Sequence, residues 1–397
     1  MTMKTEELQK KLLTKVEQLK TPEGYLIAGY PNYNSLFGRD SLIAAWQMLK
    51  IDSGIAKATL QILATYQGKK VTKKGEEEPG KILHEGPKIT PRKIPLTKCW
   101  DFPYYGTADA TLWFVIVAKM YFEETKDKKF IAEIWNNIVA AVEWISKYGD
   151  IDSDAFVEYE RKNPRGLFHQ GWRDSFSNHL KINPPVAIVE IQGYAYLAYQ
   201  SAVSLAETLG QKEAIPEWKQ KAKELHKRFH KAFWWKEEEY YALALNGDKT
   251  QRKSVSSNPG HLLFCGITSK EATEKIVRRL FQPDMLTPFG IRTMSEKDPD
   301  FDARSYHLGS VWPHDNWIIY EGLKKQGFEK EAETIKQSLL KVYEAFNCIP
   351  ELFEVRNKKI TSLSKGALQQ SDTLQGNVIQ ANNLQAWSTC GLLNMIS

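Results

Sequence analysis

The sequence predicts an all-α protein, an (α/α)6 barrel built as a single domain over residues 1–397. Three observations carry that reading. Helical periodicity dominates and strand-like alternation is scarce; the helical segments come to twelve; and the links between them alternate in length, short then long.

In chain order the predicted segments run near 5–19, 39–50, 52–67, 107–125, 128–148, 186–208, 214–233, 259–265, 269–281, 310–326, 329–346 and 379–394. The first is a charged amphipathic stretch. A short turn at Lys126-Asp127 separates the fourth from the fifth. In the sixth, Val186 to Leu205 is apolar or small nearly all round, the mark of a helix covered on every side. The seventh places Trp218, Ala222, Leu225, Phe229 and Phe233 on one stripe with Lys and Glu between them, so it buries one face. Pro313 fits the first turn of the tenth, and Gly327 ends it before the eleventh.

Short turns follow the even-numbered helices, and links of about 20 to about 40 residues follow the odd-numbered ones. If one parity forms an inner ring and the other an outer ring, all six long links emerge at one end. A helical array without closure is the competing arrangement. A solenoid would show a repeated consensus, and none is visible.

Composition limits the function classes. A chain of 397 residues that is 42% hydrophobic and 12% aromatic is globular rather than disordered. No segment reaches the roughly 18 apolar residues of a membrane span, and the N-terminus lacks the apolar stretch of a signal peptide, so a cytoplasmic protein with no membrane partner is expected. The net charge of +6 is concentrated between Gly68 and Lys98, where nine basic side chains face four acidic ones. That Gly- and Pro-rich segment reads as a solvated loop rather than a nucleic-acid groove. Cys99, Cys265, Cys348 and Cys390 are far apart and read as buried thiols, with neither a zinc site nor a disulfide framework. No DxDxDG-type loop, Walker loop or GxGxxG loop is present, so no metal or cofactor is expected.

Costly polar and aromatic residues gather in the long links. Arg39-Asp40 closes the first; His84-Glu85, Trp100, Tyr104-Tyr105 and Asp109 lie in or just after the second; Gln170 to Ser175 occupy the third; Tyr306-His307 and Trp312 to Asn316 close the fifth; Pro350 to Glu354 lie in the sixth. There is no GxSxG elbow. Carboxylates, amides and aromatics without a nucleophilic motif favour sugar chemistry: rings stack on pyranose faces, planar polar groups grip vicinal hydroxyls, and two carboxyls supply acid and base. Arg39 paired with Asp40 fits this pattern, as a five-donor fork beside a fixed carboxylate; the competing readings are Asp40 as an N-terminal cap and the two as a structural pair.

The segments LIAGYPNYNSLFGRDSLIA, GKILHE, YYGTADATLWF, GLFHQGWRDS, VEIQGYAYLA, PGHLLFCGI, FGIRT, YHLGSVWPHDN, PELFE and NNLQAWS resemble, in order, those of amylo-α-1,6-glucosidase-like (glycogen-debranching) catalytic domains, relatives of glucoamylase, trehalase and glycoside hydrolase family 63. The resemblance spans Gly24 to Ser388. It implies an (α/α)6 barrel and an inverting mechanism, with Asp174 of the GW(x)D motif as general acid and Glu351 of the PEL motif as general base. Arg39, Asp40, Glu85, Tyr105, Trp172, Gln192, Trp312, His314 and Gln385 are the expected substrate-binding residues. Asp174 must hold a proton at working pH, with Trp172 the nearest apolar wall to raise its pKa. Glu351 must be ionised, and inversion expects the two carboxyls roughly 6.5 to 9.5 Å apart. Glu354, Glu85 and Glu190 are competing carboxylates. After His84-Glu85 this chain has Gly86-Pro87-Lys88 where many relatives have an aromatic and a basic residue, and it opens almost directly on the first helix where larger relatives carry a β-rich domain.

An exo-acting α-glycosidase cleaving an α-glucoside is therefore the leading expectation, with homo-oligomerisation left open. An anionic aglycone, as in a glucosyl or mannosyl glycerate, would give the lysine-rich segment a purpose. The alternatives are a sugar 2-epimerase-like isomerase and a non-catalytic carbohydrate-binding barrel.

Overall fold

Each predicted segment contains helix in the structure, a computed structural model that describes residues 5–88, 100–363 and 381–397. Thirteen α-helices are described because the fifth segment breaks at Ile134: α1 Thr5–Glu17, α2 Gly38–Met48, α3 Ser53–Thr65, α4 Ala110–Thr125, α5 Lys128–Glu133, α6 Trp135–Trp144, α7 Val189–Leu209, α8 Ile215–Phe233, α9 Leu262–Cys265, α10 Lys270–Leu280, α11 Pro313–Lys325, α12 Glu329–Phe346 and α13 Ala386–Ile396. A π-helical turn, Ile145–Gly149, extends α6, and a 3-10 turn, Asn258–His261, leads into α9. The predicted start of the last helix was too early. Residues 381–385 form a coil and a short strand, and residues 379–380 lie outside the described residues.

The contacts among helices run in a cycle. α2 packs on α4, α4 on α7, α7 on α9 with its 3-10 turn, α9 on α11, α11 on α13, and α13 returns to α2. Most remaining helices cover the outside of this cycle: α1 lies on α13, α3 on α2 and α4, α6 on α4 and α7, α8 on α7, and α12 on α11 and α13. The sequence patterns explain the division. In α7 fifteen buried residues occupy all sides, whereas α8 buries only Trp218, Ala222, Leu225, Phe229 and Phe233. Each such large apolar side chain contributes about 1.5–3 kcal/mol when fully buried. α9 is only four residues long and depends on close approach: a Cβ on Gly193 of α7 would lie 2.8 Å from Leu262, and one on Gly322 of α11 would lie 2.6 Å from Leu263.

The two sets of helices also begin differently. Among the helices that are not part of the cycle, α3, α5 and α10 carry side-chain caps, with Asp52 accepting from Gly54 N, Asp127 from Phe130 N and Ser269 from Ala272 N, whereas α6, α8 and α12 have none. The cycle helices α2, α4, α7, α11 and α13 have none, and for α2, α7, α11 and α13 the residue before the helix is extended chain. Short strands stitch those starts together: Ser35–Phe37 pairs with Glu85–Lys88, Ala187–Ile188 with Ala244–Leu245, and Leu384–Gln385 with Gly29–Tyr30. Instead of caps, α2, α7 and α11 place Asp40, Glu190 and Asp315 in their first turns, where the helix dipole favours negative charge.

The segment expected to be a solvated loop is one only in part: Lys69, Lys70, Lys73 and Lys74 are exposed, but the rest of its described part turns inward. Glu76, Glu78 and Lys81 are buried, because Glu78 meets Lys81 at 3.3 Å, receives the Trp144 indole N–H at 2.8 Å and pairs with Lys162, while Glu76 accepts from Gln170. Arg92, Lys93, Lys98 and Cys99 lie outside the described residues. Of the other thiols, Cys265 and Cys390 are buried and Cys348 is half-buried, all three free.

Candidate active site

The starts of the cycle helices bring the nominated carboxyls together. Arg39, in the first turn of α2, is buried and donates through Nη1 to both oxygens of Asp109, at 2.9 and 3.1 Å, and through Nη2 to Asp174 Oδ2 at 2.5 Å. Asp109 immediately precedes α4, so one guanidinium ties the starts of two neighbouring helices to the loop that carries Asp174. That loop is a tight reversal in which His169 pairs with Ser175, and Gln170 O accepts from Ala108 N at 2.7 Å. The Asp174 side chain keeps 27% of its surface accessible. Burial pushes its pKa up to about 6, against the pull of Arg39.

Glu351 is reached from the other side. Its Oε1 accepts the Tyr306 hydroxyl at 2.5 Å and its Oε2 accepts the Asn382 N–H at 3.0 Å, while its own N–H donates to Asn382 O. Burial pushes its pKa up to about 8, opposed by those two donors and reinforced by Asp40 and Asp174. Glu354, its rival in sequence, instead sits on a hairpin strand and pairs with Arg356 at 3.1 Å. Asp40 is buried, pushed up to about 7 by desolvation, and accepts from Gln385 at 3.4 Å. Glu190 is likewise pushed up to about 7 by burial.

Aromatic rings wall this cluster. Trp172 meets Trp312 edge-on at 5.8 Å and His314 at 5.0 Å; His314 stacks on Trp387 at 3.8 Å. The indole N–H groups of Trp172 and Trp387 and both ring nitrogens of His314 are buried without a partner among the described residues. Burial holds His314 and His307 neutral by lowering their pKa values. Trp312 spends its N–H on Tyr306 O at 2.7 Å, so it offers a ring face rather than a donor.

Two nominated binding residues have their polar groups engaged by the protein's own backbone. The Tyr105 hydroxyl donates to Tyr66 O at 2.6 Å at the end of α3, which commits its one proton to an outer helix. Both amide hydrogens of Gln192 go to backbone, to Val157 O at 2.7 Å and Ile188 O at 3.0 Å, and its Oε1 accepts from Val157 N. Gln192 therefore anchors the third long link to α7. Arg39, expected to grip sugar hydroxyls, spends three of its N–H groups on protein carboxylates. Glu85 accepts from Ser35 Oγ at 3.1 Å beside the start of α2.

The structure adds several residues to the cluster. The sequence places Asp109, Tyr306 and His307 in the long links without assigning them a part in the chemistry, and its pattern does not single out Tyr33, Asn382 or Trp387. The motifs YHLGSVWPHDN and NNLQAWS hold four of these six. Asp150, Asp152 and Asp154 were also missed. Their D-x-D-x-D spacing has Ala155, at φ 76°, where a calcium loop has glycine. Their oxygens lie within 4.8 Å of one another, and Lys249 meets Asp152 at 2.6 Å, Asp154 at 2.8 Å and the buried Glu158.

The fold is that of glycoside hydrolases. A family 63 mannosylglycerate hydrolase from Thermus thermophilus, in complex with Tris and D-glycerate, superposes with a TM-score of 0.74 over 98% of this chain and 99% of that one at 15% identity. A rhamnosidase from Klebsiella oxytoca with rhamnose bound gives a TM-score of 0.66 at 15% identity, over 98% of this chain and 63% of the other. In sequence, a mannosylglycerate hydrolase from Selaginella moellendorffii is 33% identical over 75 residues, 19% of this chain and 15% of that protein's length. The profile of the amylo-alpha-1,6-glucosidase family matches residues 94–394. The protein is a glycoside hydrolase, and the chain belongs to the amylo-alpha-1,6-glucosidase family. No helix among the described residues is long and apolar enough to cross a membrane.

Proposed function

We propose that the chain is an inverting, exo-acting α-glycosidase whose cycle of six helices is the inner ring of an (α/α)6 barrel in one domain, with Asp174 as general acid and Glu351 as general base. The observation that carries this is the contrast between the two carboxyls. Glu351 accepts a hydrogen bond on each oxygen, and both donors favour its ionised, proton-accepting form. Asp174 has Oδ2 on Arg39, while its partly accessible side chain leaves Oδ1 to carry a proton to the glycosidic oxygen. Asp40 and Gln385 would hold hydroxyls of the sugar, and Trp172, Trp312, His314 and Trp387 would pack on its faces.

In this mechanism Asp174 protonates the leaving oxygen as the C1–O bond breaks, and Glu351 takes a proton from water attacking the opposite face of C1. Asp174→Asn and Glu351→Gln should each lower kcat by roughly 10²-fold or more while oligosaccharide binding persists; kcat near the wild-type value in both variants would overturn the assignment. An NMR time course on α-linked glucosides and mannosides reads the bond cleaved, and β-sugar must appear first.

A second reading of the substrate has specific support. The names of the similar proteins point to an α-mannoside of glyceric acid, so mannosylglycerate and glucosylglycerate belong beside α-1,6-linked isomaltose in the panel.

A further inference from the structure

Tyr306 and His307 are adjacent in the chain, and each touches one of the two carboxyl-bearing residues. The Tyr306 hydroxyl donates to Glu351 Oε1 at 2.5 Å, and His307 Nε2 lies 3.1 Å from the backbone oxygen of Asp174. The dipeptide is itself pinned: Trp312 Nε1 and Ser310 Oγ both donate to Tyr306 O, at 2.7 and 2.9 Å, and its two rings pack against Trp312. Behind Tyr306 lies a second hydroxyl, that of Tyr33, at 3.1 Å. A phenol has one proton, and Tyr306 gives its own to Glu351, so Tyr33 is the donor in that contact. Tyr33 follows the Gly29–Tyr30 strand that pairs with Leu384–Gln385, and the adjacent Asn32 N–H reaches Asn382 Oδ1 at 3.4 Å. Asn382 is the residue whose own N–H holds the second Glu351 oxygen.

We propose that Tyr306 is the positioning residue of the general base: the Tyr33–Tyr306 hydroxyl pair orients Glu351 and favours its ionised form, while His307 on the same dipeptide fixes the loop of the acid opposite. The proposal rests on the reading of Glu351 as base. Burial drives the Tyr306 hydroxyl well above its ordinary pKa, so it is a constant donor throughout the working range. The other groups acting on Glu351 are Asn382 N–H, which favours the carboxylate, and Asp40 and Asp174, which disfavour it; Arg39 and Asp109 act on Asp174.

In the free enzyme Glu351 titrates above Asp174, near 8 against near 6, so the alkaline limb of kcat/KM follows Glu351 and the acidic limb Asp174. The productive form, with the proton on Asp174, is then a minor fraction set by the gap between the two groups. Tyr306→Phe deletes one charge-assisted hydrogen bond. It should move the alkaline limb up by about one pH unit and lower the plateau of kcat/KM about tenfold, leaving the acidic limb in place. Tyr33→Phe, which keeps the Tyr306–Glu351 bond, should move the same limb in the same direction by less.

The experiment is the kcat/KM pH profile of the wild type, Tyr306→Phe, Tyr33→Phe and Glu351→Gln on the cleaved substrate and on the matching α-glycosyl fluoride, whose leaving group needs no proton. The Tyr306→Phe defect should persist on the fluoride, because it lies on the water side. A lower plateau with both limbs unmoved, or full recovery on the fluoride, overturns the role of Tyr306. Retained turnover in Glu351→Gln overturns instead the reading of the base on which it rests.

Discussion

Arg39 and Asp174 form a charge-assisted hydrogen bond of 2.5 Å, made by a guanidinium whose other arm is fully engaged by the buried Asp109. The proposed acid is therefore clamped to a group that favours its ionised form, and burial is what lifts its pKa to about 6 in spite of that clamp. Asp109, 1% exposed, has no comparable second cation within salt-bridge distance among the described residues.

Arg39→Met should consequently destabilise the protein by about 3–5 kcal/mol, since it leaves Asp109 buried and unpaired, and Arg39→Met with Asp109→Asn should recover part of that loss. Thermal unfolding of the two single variants and the double variant measures the coupling. Additive losses would mean that the pair is not energetically linked.

The acid role makes its own demand on substrate. Asp174→Asn should lose roughly 10²- to 10⁴-fold in kcat on an ordinary glycoside and far less on a glycosyl fluoride, because only the former needs a proton on its leaving group. Equal losses on both substrates would exclude Asp174 as the proton donor.

Glu351 links activity to stability. Its folded pKa, about 8, exceeds its ordinary value of 4.5. Below the lower value both the folded and the unfolded chain hold the proton. Between the two values only the folded chain holds it, so the stability this group contributes falls as pH rises through that window and is lost above about 8. Glu351→Gln removes the titration and should be the more stable protein near pH 8, by roughly a few degrees in Tm, with little difference near pH 5. Parallel Tm-against-pH curves would refute the buried, proton-holding state of Glu351.

Gln192 and Tyr105 test the distinction between holding substrate and holding the fold. Gln192→Leu strands the Val157 N–H and carbonyl and should cost about 2 kcal/mol of stability with KM within about twofold. Tyr105→Phe should cost about 1 kcal/mol, also without a KM effect. A selective rise in KM in either variant would return that residue to the binding site.

The sequence by itself determined the helices and their order, because each is written locally. The stripe on α8, the all-round apolar surface of α7 and the glycine after α11 depend only on neighbours a few positions away. The alternation of short and long links likewise marked which helix starts would carry polar side chains. Tertiary structure decided which of those side chains meet. Arg39, Asp109 and Asp174 belong to three separate links, and nothing in their spacing says that one guanidinium joins the two carboxylates. Gln192 in the first turn of α7 and Tyr105 in the second link carry functional groups suited to binding, yet their polar atoms are engaged by backbone groups that come within reach only once the links pack. Tyr306 and His307 stand in a recognisable motif, but their reach to Glu351 and to Asp174 exists only after the cycle of helices brings the fifth link between the third and the sixth.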